Sequence, residues 1–242
     1  MTGSTPTGQA TIGLIGGMSW ESSAEYYRII NQETQRRLGG VHSARSLMAS
    51  VDFGVVEHLQ HEGRWDALTV MMCDAARDLE RGGANVLVLC TNTMHRMAGE
   101  IARAVAIPLL HIADPTAEAV KAAGLSTVGL LGTAFTMELD FYKGRLAADH
   151  GLKVLVPEAD DRRTVHRIIY EELVAGRTEA TSRAAYRDVM ERLVERGAEA
   201  IILGCTEIAM LVSQQDCWAP LFDTTRLHAL AAVDWSLAHP QG

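Results

Sequence analysis

The chain has 242 residues, a net charge of −8, 48% apolar residues and 21% charged ones, enough for one large domain or two smaller ones with their own cores. Its acidic balance includes no basic run, so it has no electrostatic footprint for DNA or RNA; no apolar run approaches the roughly 18 residues of a bilayer span. Four cysteines, Cys73, Cys90, Cys205 and Cys217, are too sparse for a disulfide framework and are expected as free thiols in a reducing compartment, the cytoplasm.

Residues 1–9 are polar and lack the basic start and apolar middle of a signal peptide, so they read as a frayed extension. From Thr11 onward, short apolar runs alternate with segments of helical length, the pattern of parallel α/β units. Strands are predicted at 12–15, 46–51, 86–90, 109–112, 127–131, 153–156 and 200–203, with a further candidate at 221–222. Helices are predicted over 24–37, 65–81, 161–175 and 179–196.

The chain resembles itself. Ile12-Gly13-Leu14-Ile15-Gly16-Gly17 is echoed by Val128-Gly129-Leu130-Leu131-Gly132-Thr133, and Arg81-Gly82-Gly83 with the strand after it is echoed by Arg196-Gly197-Ala198 with the strand ending at Cys205. Two landmarks repeated in the same order predict a duplication: two similar lobes, each a mostly parallel sheet flanked by helices, related by a pseudo-two-fold. The expected division is an N-terminal lobe over 10–112, completed by 221–242, and a C-terminal lobe over 113–220. Ligands of such sheets gather beyond the carboxyl ends of the strands. With lobes face to face, 16–19, 91–93, Thr133 and 205–207 would surround one cleft.

Cys205 follows Gly204 at a strand end and precedes a helix start, where backbone N–H groups and the helix dipole favour a thiolate. The plainer alternative is a buried, inert cysteine. Cys90-Thr91-Asn92-Thr93-Met94-His95 sets hydroxyl and amide groups at another helix start, suited to capping it or to binding a carboxylate; His95 has the place to orient a neighbour. Matching Arg81-Gly82 with Arg196-Gly197 puts Cys90 opposite Cys205, whereas matching Gly83-Ala84 with Gly197-Ala198 puts Thr91 there, and a one-residue slip turns a strand side chain to the other face. His58 and His61 lack the companions of a metal site, and the turn after Ile15 is not a full dinucleotide fingerprint. The three lysines, Lys121, Lys143 and Lys153, lie outside every motif, which argues against a pyridoxal phosphate Schiff base.

The segments 12–20, 90–95 and 204–207, with weaker matches at 111–115 and 222–224, resemble the aspartate/glutamate racemase family in order and spacing, over nearly the whole chain. The resemblance implies a cofactor-independent racemase without a metal, a homodimer, and a substrate that is a small acidic amino acid. It also implies two acid/base groups on opposite faces of the substrate α-carbon. The second of the family's cysteines matches Cys205. The first falls on Thr91, a departure, because the Asn92-Thr93 match fixes the register. Cys205 is then the base on the L-face and Thr91 the opposite acid/base group, with L-substrate preferred.

By the same resemblance, backbone groups of Met18 and Ser19 together with Asn92, Thr93 and Thr206 hold the α-carboxylate and ammonium. Arg163, next to Arg162, is the candidate for the distal carboxylate. Thr133 and Glu207 and, more weakly, Ser50 and Asp52 are lining candidates. The alternatives are another carbon-acid reaction on the same scaffold, hydantoin racemisation or maleate isomerisation, and, further off, a thiol hydrolase or a non-catalytic amino-acid-binding protein.

Overall fold

A computed structural model describes residues 8–241, so residues 1–7 of the polar leading segment lie outside the described residues. All eight predicted strands form, in two parallel sheets of four. The first unit carries β1 (Ile12–Gly16), α1 (Trp20–Leu38), β2 (Ser46–Ser50), α2 (Phe53–His61), α3 (Trp65–Arg81), β3 (Val86–Leu89), α4 (Ala98–Ala104) and β4 (Leu109–Leu110), with sheet order β2-β1-β3-β4. The second begins with α5 (Ala113–Ala122), β5 (Thr127–Gly132), α6 (Ala134–Glu138), α7 (Asp140–Ala148) and β6 (Lys153–Leu155). It continues through α8 (Ala159–Glu171), α9 (Ala180–Glu195), β7 (Ala200–Gly204), α10 (Ile208–Leu211) and β8 (Leu221–Asp223), in the order β6-β5-β7-β8, and leads into α11 (Thr224–Ala238). The two sheets share one strand permutation, as a duplicated half requires.

The central strands β1, β3 and β7 are buried at every position, which is why they read as unbroken apolar runs and not as alternating ones. Helix α1 starts four residues before its predicted edge because Ser19 caps it, its side chain accepting from the Ser22 N–H at 3.3 Å. Inside the first unit, Ile12, Leu14, Tyr26, Ile30, Val86 and Val88 pack with Ala229, Ala232 and Val233 of α11. The Tyr26 hydroxyl meets His228 Nδ1 at 2.8 Å, and His228 Nε2 donates to the Leu110 carbonyl at 2.9 Å.

One boundary is corrected. The segment 221–242 was expected to complete the first lobe, yet β8 pairs with β7 through Ile201↔Leu221, Ile202↔Phe222 and Leu203↔Asp223. Among the described residues the first unit comprises 8–90, 97–111 and 228–241; the second takes 91–96 and 112–227. The change of unit at 227–228 falls inside α11, where no glycine or proline marks it in the sequence.

On α1, Glu33 accepts from both Arg36 and Arg37, each at 2.7 Å. The hydrogen bond from Arg36 leads, burial opposes and Arg37 adds, holding the carboxyl down to about 2 from an ordinary 4.5. A depressed carboxyl stabilises the fold above its unfolded pKa and loses that contribution as pH falls through the folded one, here between 4.5 and about 2. Replacing Glu33 with Gln is expected to cost about 1–2 kcal/mol at pH 7, discounted for the exposure of Arg36. The check is urea unfolding at pH 7 and pH 3, where the gap between the proteins should shrink.

Candidate active site

Strand register decides between Cys90 and Thr91. Ile12 pairs with Val86 in the first sheet, and its repeat partner Val128 pairs with Ala200 in the second. Val86 and Ala200 are therefore equivalent, and five residues on, Thr91 is the counterpart of Cys205. The glycines that close the preceding helices agree: Gly83 and Gly197, three residues before Val86 and Ala200, have φ of 94° and 99°, a region that favours glycine. Cys90 instead points into the first unit's core among Ile12, Leu14 and Tyr26 and is fully buried, and that burial pushes its thiol up. Replacing Cys90 with Ala is expected to leave turnover within a factor of about two while costing about 1 kcal/mol of stability, a packing loss only, measurable by paired activity and melting assays.

Cys205 leaves the end of β7, where Gly204 pairs with Gly132 of β5. A Cβ on Gly204 would stand 2.7 Å from the Leu131 carbonyl oxygen, so only glycine lets the strands close beneath the thiol. Thr133 and Cys205 are the residues that follow this last pair on β5 and β7. The Cys205 thiol donates to Glu207 Oε2 at 2.9 Å, and the Glu207 side chain is buried.

This environment corrects the expectation of a favoured thiolate. Burial first, then the Glu207 charge and its hydrogen bond, push the Cys205 thiol well up; the N–H groups of Glu207 and Thr206 pull the other way and are outweighed. α10 spans only Ile208–Leu211, too short for a strong dipole. The resting group is a thiol whose hydrogen already points at a carboxylate.

The segment 91–93 is held over this pair. Thr93 Oγ1 lies 3.2 Å from Thr133 Oγ1, tying it to the end of β5, and Asn92 Nδ2 donates to Thr224 Oγ1 at 3.1 Å, tying it to the end of β8. Since β7 lies between β5 and β8, the segment crosses the end of β7, where Cys205 emerges. Thr224 gives its one hydroxyl proton to the Leu203 carbonyl at 2.9 Å, so towards Asn92 it can only accept. The Asn92 amide is thereby oriented, and its Oδ1 is left buried without a hydrogen-bond partner among the described residues. A buried bare acceptor is costly, and a ligand donor would relieve it. Thr225 donates to Thr206 Oγ1 at 3.1 Å, completing a row of hydroxyls.

Other expected residues fall elsewhere. Met18 and Ser19 are buried in the turn after β1, joined by a cis peptide bond, and Ser50 is exposed at the end of β2. Asp52 caps α2, accepting from the Gly54 N–H at 3.0 Å. Arg163 does not face the strand ends: it is exposed on α8 and paired with Asp160 one turn back. Arg162 reaches Glu138 Oε1 at 3.0 Å and the Pro157 carbonyl at 2.7 Å. His58 and His61 lie exposed beside Glu62 and Glu57.

Sequence reasoning passes over His166 and Thr225, and meets Thr224 only as the end of a weak match. His166 accepts at Nδ1 from the Ala134 N–H at 3.1 Å, next to Thr133; its signal was its place beside the apolar Val165 and one turn before Ile169. Thr224 and Thr225 steady the loops around Cys205, and their signal was a hydroxyl pair directly after a strand and Asp223, whose side chain caps the helix that follows through Thr225 N–H at 2.9 Å.

Two duplicated parallel α/β units, with a thiol and carboxylate at one strand end beneath a hydroxyl–amide segment, define a class of enzymes that act on carbon acids. Residues 15–232 match the family described as Asp/Glu/Hydantoin racemase, and the chain belongs to that family. It is similar to a candidate Asp/Glu racemase from Yersinia pestis at 51% identity, covering 94% of this chain and 99% of that one with a TM-score of 0.88. It is also similar to an aspartate racemase homologue from Pyrococcus horikoshii OT3, at 31% identity over 93% of this chain and 98% of that one with a TM-score of 0.79. A broad specificity amino-acid racemase, RacX of Bacillus subtilis (strain 168), is 24% identical over 72% of this chain and 74% of its own length.

Proposed function

We propose that this protein racemises aspartate, glutamate or both without a cofactor, by removing the α-proton on one face and returning a proton on the other. The observation that carries the proposal is the 91–93 segment crossing the end of β7, where the Cys205–Glu207 pair stands, with Asn92 Oδ1 buried and without a hydrogen-bond partner among the described residues. An α-ammonium supplies the donor that Asn92 Oδ1 lacks, and the hydroxyls of Thr93, Thr133 and Thr206 suit an α-carboxylate. The substrate class rests on the resemblance to aspartate and glutamate racemases, because the exposed Arg163 offers no reader for a distal carboxylate.

In the proposed reaction the Cys205 proton passes to Glu207, the thiolate takes the α-proton of the L-amino acid, and the Thr91 hydroxyl protonates the carbanion on the other face. Solvent then returns a proton to Thr91 and removes one from Glu207, so the protein ends as it began. A hydroxyl is a far weaker base than a thiolate, which makes the two faces unequal. Enantiomers are of equal energy in water, so kcat/KM must be equal in the two directions, and the inequality has to appear in proton exchange instead.

The test is incubation with each enantiomer of aspartate and glutamate in deuterated water. From L-substrate, deuterium should enter the recovered L-amino acid faster than the D-form accumulates; from D-substrate, it should appear in the L-product and hardly at all in the recovered D-form. No α-proton exchange from any of the four would overturn the racemase reading. Equal exchange in both recovered enantiomers would remove the Thr91 assignment alone. Hydantoins and maleate in parallel reactions test for another reaction on the same scaffold.

A further inference from the structure

His95 is buried in the 3-10 turn Thr93–Met97, and both of its ring nitrogens are engaged. Nε2 accepts from the Ile112 N–H at 3.2 Å. A backbone N–H can only donate, so Nε2 carries no proton and the neutral ring has its hydrogen on Nδ1. Nδ1 lies 2.7 Å from the Thr91 carbonyl oxygen and therefore donates to it. The ring is a fixed strut between the backbone just ahead of α5 and the carbonyl of the residue equivalent to Cys205.

We infer that His95 is a positioning residue for proton return: its Nδ1–H clamps the Thr91–Asn92 peptide so that the Thr91 hydroxyl and Asn92 Oδ1 both face the substrate. Holding that carbonyl sets the rotation of the peptide between the two residues. Thr91 is β-branched and stiff at χ1, so its hydroxyl direction follows its backbone. Asn92, on the other side of the same peptide, has one end of its amide held by Thr224 at 3.1 Å, so the same rotation sets where Oδ1 points. The inference rests on the proposed racemase reading and adds a role for a side chain that touches no reacting atom.

Two substitutions divide the ring's functions. Asparagine carries its amide at the level of Nδ1 and can still donate to Thr91, but falls short of Ile112. Glutamine carries its amide at the level of Nε2 and can still accept from Ile112, but loses the Thr91 bond. The measurement is the ratio of inversion to α-deuterium exchange from L-aspartate and L-glutamate, with melting curves alongside.

In H95Q the ratio should fall about tenfold or more, within the range of one acid/base group, because Cys205 still exchanges the proton on its own face. H95N should keep the wild-type ratio within about threefold, on the same scale. Equal ratios in H95Q and wild type would overturn the inference, as would a loss in H95N as deep as in H95Q. Failure of both variants to fold would also overturn it, by making His95 a residue of the fold alone. A wild-type protein that exchanges no α-proton is a separate result: it removes the racemase reading itself.

Discussion

Serine in place of Cys205 is expected to slow α-proton exchange from L-aspartate and L-glutamate by a factor of about 10³, the usual scale for losing a positioned acid/base group. The change keeps size and the hydrogen bond to Glu207 Oε2, held at 2.9 Å by the thiol, so the loss reports proton affinity and not packing. A hydroxyl in that buried place, beside a carboxylate, is harder to ionise than the thiol, whose own pKa is already driven well up by burial and by Glu207. Melting should be almost unchanged. A serine variant that exchanges within tenfold of wild type would place the base elsewhere. Cysteine at position 91 is the converse variant, and it should bring exchange in the recovered D-form up towards that in the L-form.

Glu207→Gln should make the Cys205 thiol easier to alkylate and yet slow racemisation. The Glu207 charge raises the Cys205 thiol pKa, second only to burial, so removing the charge lowers it. The pH at which iodoacetamide begins to alkylate Cys205 should fall. Racemisation should nevertheless drop by about 10², because the acceptor for the thiol proton has gone. In the wild type, the raised thiol pKa means that the thiolate fraction, and with it the exchange rate, climbs as pH rises through neutrality and beyond. A glutamine variant that alkylates at lower pH and racemises at the wild-type rate would leave Glu207 with no part in proton transfer.

Much of this was legible in the sequence because burial leaves a direct mark. Strands covered on both faces must be apolar throughout, so β1, β3, β5 and β7 stand out, and the repeated glycines give the duplication. The alignment of Arg81-Gly82-Gly83 left Thr91 and Cys90 both open, because two glycines in a row offer two matches. The Asn92-Thr93 match already favoured Thr91, and the pairing of Ile12 with Val86 and Val128 with Ala200 gives the same register. What stayed hidden depends on side-chain direction. Arg163 and His166 are three residues apart on one helix, but the charged one faces solvent and the other reaches Ala134. The protonation of Cys205 is hidden for a related reason: a nearby helix start is visible in sequence, whereas the depth of burial and the aim of a carboxylate two residues on are not.

The passage of α11 from one unit to the other inside a continuous helix has a consequence for synthesis. Strands β1 to β4 leave the ribosome long before Ala229, Ala232 and Val233, which pack among Ile12, Leu14 and Val88. The N-terminal sheet must wait, one side of its core uncovered, until the whole second unit has been translated. A nascent chain stalled before His228 should therefore expose apolar surface in its older half and be the species that chaperones hold.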